Sequence, residues 1–258
     1  MKLYFKYLRA YFLSIAQYKK SAVLTIIGQF FTSLFSLIGI QFLFSNFKTV
    51  AGFTFEEILL CYANIMFSFS IAEFFGRGFD TFEGIMANGQ FDRMLLRPQN
   101  EIVQVLESTF EISRIGKLIQ SLLIYLLIIP NSSIEWNVCR LLVLIEMLVC
   151  GVILFISLFI IYASFCFFTT QGLEIFNIFT DGSREFGKYP FAVYGENVLK
   201  IFTYVVPVAC IQYYPICFLT GKSIHIADAL VPLVSLPYMF LAALFWRKGV
   251  KRYKSTGS

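Results

Sequence analysis

The chain has 258 residues, of which 58% are hydrophobic, 18% aromatic and only 14% charged, with a formal net charge of +5. A mean hydropathy of +0.72 leaves a water-soluble fold nowhere to put its apolar surface. It also excludes a disordered, collagen-like or disulfide-framed secreted chain, and indicates an integral membrane protein.

Residues 2–18 come first. Lys2, Lys6 and Arg9 recur at helical spacing among Leu3, Tyr4, Phe5, Tyr7, Leu8, Tyr11 and Phe12. A basic stripe on an aromatic helix fits an element lying in the membrane interface; a basic extension of the first span is the alternative. A cleavable signal is not expected, because the apolar run after Lys20 is too long and lacks a small-residue exit.

A helix needs about 20 apolar residues to cross the hydrocarbon core. Largely apolar runs predict six spans at about 21–44, 58–75, 110–129, 141–170, 198–219 and 229–246. The third stops at Pro130 before the turn residues Asn131, Ser132 and Ser133, and the fifth carries Pro207 and Pro215. Of the 21 basic residues, all but Lys48, Arg140 and Lys222 fall on one side of this arrangement. By the positive-inside rule that side is cytoplasmic and holds both termini. The positive charge thus reports membrane orientation and gives no sign of nucleic-acid binding.

On the first span Thr25, Gly28, Thr32, Ser36 and Gly39 fall at helical i+3 and i+4 steps. Such a small-residue stripe permits close helix packing, within the chain or toward a second subunit or translocation path. Glu73 and Glu146, the acids within the apolar stretches of the spans, are expected at an interface or lining a pore.

The long loop at 76–109 contains Gly89-Gln90-Phe91-Asp92-Arg93-Met94-Leu95-Leu96-Arg97-Pro98. Gly89 suits a helix C-terminal cap, Asp92 a cap for the next short helix, and Pro98 the first turn of another. Short cytoplasmic helices with alternating charge and exposed Phe, Met and Leu look built for docking. A second stretch, 171–197, has Leu173, Ile175, Phe176, Ile178 and Phe179 on one face, then Glu185 to Pro190, and is expected to lie at the interface before the fifth span.

Other signals dissolve on inspection. Gly221-Lys222-Ser223 mimics the end of a phosphate-binding loop, but Ile216 stands where the motif needs glycine. Glu56-Glu57 lacks the arginine and histidines of an intramembrane metalloprotease. The six cysteines form no C-x-x-C pair and the single histidine, His225, has no ligand neighbours, so no metal site is expected.

The six spans, the basic N-terminal helix and the block Gly89–Pro98 resemble ABC-2-type permeases, the membrane subunits of ATP-driven exporters, in a branch of about 260 residues encoded with a separate ATPase. Phe186-Gly187-Lys188-Tyr189-Pro190 through Tyr194, and Val206-Pro207-Val208 through Tyr213-Tyr214-Pro215, resemble two further family blocks; Gly195 departs from the usual proline. The resemblance implies an all-α membrane fold of the ABC-2 (type V exporter-like) kind, in which 1–258 form one permease domain. It implies that Phe91, Asp92, Arg93, Met94, Leu95, Arg97 and Pro98 couple to the ATPase. Thr25, Gly28, Thr32, Ser36, Gly39 and Glu146 are the candidates for a subunit interface or pathway. No cofactor is expected on this chain; ATP and Mg belong to two ATPase subunits, and a second permease, identical or a sister chain, completes the path for a hydrophobic or amphipathic substrate such as a peptide, drug or lipid. The implied setting is a bacterial plasma membrane. The alternative is a secondary transporter or channel, for which paired intramembrane charges and inverted repeats are missing.

Overall fold

A computed structural model describes residues 2–169 and 175–253, with the side chains of 2–8, Ala10 and Ile175 left out of that description. The basic stripe's Lys2 and Lys6 side chains, and Leu173 of the second loop, therefore lie outside it. Among the described residues the chain is helical, with no strand beyond a single bridge between Val50 and Phe53.

Helix α1 (Lys2–Gln17) leads almost directly into α2 (Lys19–Asn46). Tyr11 fastens α1 to the far side of the next loop by donating its hydroxyl to the Phe110 carbonyl at 2.7 Å. α2 is apolar over its length but contributes few buried side chains, such as Ser33 and Ile40. Such a helix is stable only where lipid or protein replaces water.

Helix α3 (Phe55–Asp80) is the axis of the bundle. Thr54 and Glu57 form a reciprocal capping box at its start, and most of its side chains are buried. It packs between α7 (Ile115–Asn131) and α8 (Val138–Thr169). Between α3 and α7 lie α4 (Phe82–Ala87), α5 (Gln90–Leu95) and α6 (Glu101–Ser108). α7 continues one residue past Pro130, which cannot donate to the Leu126 carbonyl, and ends there. Its buried positions Gly116, Lys117, Gln120, Ser121, Ile124, Tyr125 and Ile128 keep helical spacing and face α2 and α3.

The segment after α8 departs from expectation. Instead of lying along the surface, α9 (Ile175–Asn177), a π-helical turn at Ile178–Gly182 and α10 (Ser183–Phe186) run into the bundle. Arg184 sits 4.8 Å from the centre of the Phe69 ring, and Gln212 donates to the Tyr189 carbonyl at 3.3 Å. The reason is aromatic: Phe186, Phe191, Tyr194 and Phe202 stack on one another, burying rings that would otherwise face headgroups and water.

The fifth span is also not continuous. α11 (Glu196–Tyr204) and α12 (Val208–Leu219) meet at an angle of 113°. Pro207 cannot donate to the Thr203 carbonyl, and the ladder breaks there. A contact of 3.2 Å between the Thr203 and Tyr214 hydroxyls ties the two limbs together. α13 (Ile226–Leu230) and α14 (Ser235–Arg252) complete the chain.

The crossings can be followed from contacts. The end of α12 lies beside the start of α3, where Lys222 pairs with Glu57 and rests 4.4 Å over the Phe53 ring. Trp246 of α14 reaches the other end of α3 at Phe79. Both chain ends therefore lie at the end of the bundle that carries α4–α6. Among the described residues five helices are long and apolar enough to cross a membrane, and six if the bent α11–α12 pair counts as one span.

α6 clamps onto α3 at Gly78, where an added Cβ would stand 1.9 Å from the Val105 carbonyl oxygen. Gly78→Val should therefore lower stability by about 1–3 kcal/mol or displace α6. Gly84→Ala, with no atom within 4 Å of the new methyl, should be neutral or stabilising by up to about 1 kcal/mol. Thermal unfolding of the two detergent-extracted variants checks the contrast.

Candidate functional site

The block singled out in the sequence occupies α4–α6. Asn88 caps α4, and Gly89 takes the left-handed conformation at φ 60° while its N–H bonds to the Met86 carbonyl at 3.1 Å. It thus closes α4 and opens α5, a conformation that disfavours any residue with a side chain. Asp92 is not a cap. It sits in the first turn of α5, and its carboxylate accepts from the Tyr253 hydroxyl at 2.8 Å. Pro98 does not start a helix either. It lies in an exposed turn, and α6 begins at Glu101 under Asn100, whose side chain accepts from the Ile102 N–H at 2.9 Å. Gln104 holds that turn from beneath, donating to the Met94 carbonyl at 2.8 Å and the Gln99 carbonyl at 3.1 Å.

Phe91 requires the largest correction. Expected on the docking surface, it is fully buried. Its ring packs edge-on against Phe82 at 5.2 Å, Phe167 at 5.2 Å, Tyr253 at 5.1 Å and Trp246 at 6.2 Å. Phe79 and Phe82 meet Trp246 at 5.1 Å each. Rings from α3, α4, α5, α8, α14 and the residue after it thus interlock, each pair contributing roughly 0.5–1.5 kcal/mol beyond area burial. Phe91 is the inward anchor of α5, not an outward knob.

What α5 and its turn present outward is Arg93, Leu95, Leu96, Arg97 and Pro98, with Met94 half-buried. Leu96 is 85% exposed and was missed as a site residue; nothing in sequence separates it from Leu95. Gln90, Arg93, Met94 and Arg97 line a shallow pocket of about 190 Å³. This surface combines two guanidinium groups with unburied aliphatic side chains on a rigid backing.

The small-residue stripe resolves differently from the loop. Thr25, Gly28, Thr32 and Gly39 are exposed and Ser36 half-buried, while α2 packs through its other face. An added Cβ at Gly28 or Gly39 would meet nothing within 4 Å. Packing within the chain, one of the two expected uses, is thereby ruled out for those glycines. Thr25 and Thr32 satisfy their hydroxyls on their own helix, at the Ser21 and Gly28 carbonyls, each at 2.9 Å. Glu146 is not part of this face. It stands half-buried on α8, away from α2, and its Oε1 lacks a protein partner.

Glu73 is structural. It is buried near the end of α3, receiving Arg114 at 2.7 Å and Arg77 at 3.2 Å. Arg77 also pairs with Asp80. The cluster locks α3 to the start of α7, an arrangement in which removing one partner costs far more than the pair contributes.

The described residues thus form a helical bundle with five or six candidate membrane spans and a partly basic helical shelf at one end. A family model described as ABC-2 family transporter protein matches residues 30–257. The chain belongs to that family, which makes it a multi-pass permease component of an ABC transporter, a transport component that associates with an ABC ATPase. No curated protein and no solved structure matches it.

Two substitutions separate the shelf's backing from its surface. Phe91→Ala should destabilise the chain by about 3–5 kcal/mol, read as a lowered unfolding midpoint in detergent. Tyr253→Phe keeps the ring contacts and loses its hydrogen bond to Asp92, costing about 1 kcal/mol in the same measurement.

Proposed function

We propose that this chain forms one half of the translocation path of an ATP-driven exporter and receives its drive from a separate ATPase through the α5 shelf. The observation that carries the reading is the division of labour within α5. Phe91 is sunk among rings from α8 and α14, while Arg93, Leu95, Leu96 and Arg97 of the same helix and the turn after it are exposed. At an interface, aliphatic anchors supply affinity and charged rims fix register. A push on the shelf then moves the inner ends of two spans together.

The shelf end is assigned to the cytoplasm, with both termini, because nearly all basic residues gather there. The membrane is the plasma membrane, and a bacterial source fits the compact one-domain chain. α1 lies in the cytoplasmic leaflet interface. Two ATPase subunits bind ATP and Mg; this chain holds neither. The open stripe Thr25–Gly28–Thr32–Ser36–Gly39 faces a second permease, a copy or a sister chain, across a path whose two conformations differ in affinity for cargo. The cargo class is hydrophobic or amphipathic, in keeping with the apolar walls of the bundle.

Leu96→Ala combined with Arg97→Glu should reduce copurification of the ATPase at least tenfold, equivalent to about 1.4 kcal/mol or more. Membrane insertion and monodispersity of the extracted chain should not change, since both side chains are exposed. Undiminished copurification together with normal ATP hydrolysis would remove the shelf as the coupling element.

A further inference from the structure

The inward face of α7 carries three donors one turn apart: Arg114, just before the helix, then Lys117 and Gln120. Lys117 is 8% exposed and Gln120 3%. Arg114 is committed to Glu73 at 2.7 Å, yet its Nε has no partner. Gln120 accepts from the Tyr62 hydroxyl at 3.5 Å, and its Nε2 has no partner. Among the described residues the Lys117 ammonium has no carboxylate within ion-pairing distance, unlike Arg77, Arg114, Arg184 and Lys188. Buried donors of this kind are normally satisfied, and a buried cation without a counter-charge is costly. Arg114 Nε and Gln120 Nε2 are thus buried without an acceptor, while Glu73 Oε2, in a carboxylate whose other oxygen already takes two guanidinium groups, is buried without a donor.

The charges that reach Lys117 are Arg114, Arg184 and Lys188 on the positive side and Glu73 on the negative. Glu73 is shared between Arg77 and Arg114, while Asp181 and Glu185, each with a 53% exposed side chain, offset Arg184 and Lys188. Lys117 is left as the cation with nothing of its own. Arg114, Arg184 and Lys188 keep 14%, 16% and 13% side-chain exposure, so the cluster opens to the surface. It also stands where the charged start of α7 gives way to its apolar run from Leu118 to Ile129.

We propose that Lys117 and Gln120, flanked by Arg114, bind the anionic headgroup of an amphiphile, a phosphate or a carboxylate, whose hydrocarbon chain extends along the apolar part of the bundle. An anionic oxygen meets the ammonium and the free amide together, and charge-assisted bonds of this type are the strong ones. An apolar chain beside α7 favours an amphiphile over a free anion. Identification of that amphiphile as cargo rests on the exporter reading; the binding site does not.

The test uses the full chain in an uncharged detergent, titrated with dodecyl phosphate, dodecanoate, sodium phosphate and dodecyltrimethylammonium while the unfolding midpoint is followed. Dodecyl phosphate or dodecanoate should raise the midpoint; the cationic amphiphile should not, and sodium phosphate should act only at far higher concentration. Lys117→Met should weaken the response about ten- to a hundredfold, and Lys117→Arg should retain most of it. Gln120→Glu, which places a carboxylate among the donors at unchanged volume, should abolish it. Without ligand, Lys117→Met should be as stable as the parent or more so, because an unpaired buried charge is removed. Three results would overturn the proposal: an undiminished response in Lys117→Met, equal protection by the cationic amphiphile, or equal potency of sodium phosphate. Loss of ligand-free stability in Lys117→Met would assign Lys117 to Glu73 as a structural counter-ion and overturn it as well. ATPase copurification stands outside all these outcomes, so failure here leaves the coupling reading to its own test.

Discussion

The interlocked rings at one end of the bundle tie the short helices α4 and α5 to α3, α8 and α14. Phe79, Phe82, Phe91, Phe167, Trp246 and Tyr253 come from five helices, α3, α4, α5, α8 and α14, or the residue after the last, and all but Tyr253 are buried. Aromatic rings suit the task because each covers a large area while having only two side-chain torsions to fix. Edge-on packing also resists sliding, since a ring displaced along its neighbour loses several contacts at once. Short helices such as α4 and α5 would be marginal alone. Pinned by Phe82 and Phe91, they become an extension of α8 and α14.

The remainder of the architecture reflects a solvent that offers no hydrogen bonds. Where the ladder breaks at Pro207 the limbs α11 and α12 are rejoined through Thr203 and Tyr214, and Tyr238 donates to the Val205 carbonyl at 3.3 Å. Asn64 donates to the Ile211 carbonyl at 3.0 Å, stitching α3 to α12 deep in the bundle. Freed backbone groups in a membrane protein are tolerated only with such replacements. α2 is the exception in the opposite sense. Phe31, Phe35 and Phe42 on it are at least half exposed, so its stability comes from lipid and from the partner permease that its open stripe is proposed to meet.

Much of this was legible one residue at a time. Uncharged runs marked α2, α3, α8 and α14 because length and apolarity are local properties. Gly89 was legible as a helix terminator because the left-handed conformation is a demand on one residue. Phe91 was not, because whether a ring points inward depends on Trp246 and Tyr253, more than 150 positions away. Asp92 looked like a cap for the same reason: the Tyr253 hydroxyl that donates to it lies 161 positions away. The two prolines of the fifth span announced irregularity, but not that Pro207 would bend the chain while Pro215 would leave α12 intact. The burial of Thr180, Ser183 and Phe191 was hidden because an aromatic segment reads alike at an interface and among other aromatics. Lys117 was counted only as a basic residue on one side of the membrane; its isolation from carboxylates is a fact of three dimensions.

The central claim is that the shelf and the inner end of α14 move as one body. Spin labels at Leu96 and Lys248, both exposed, report it directly through the distance distribution between them in the assembled complex. The account predicts a single narrow distribution that does not shift between nucleotide-free and ATP-trapped states, even as the shelf moves relative to α2. A distribution that broadens or changes its mean when ATP is trapped would contradict it, because the rings would then be yielding rather than transmitting.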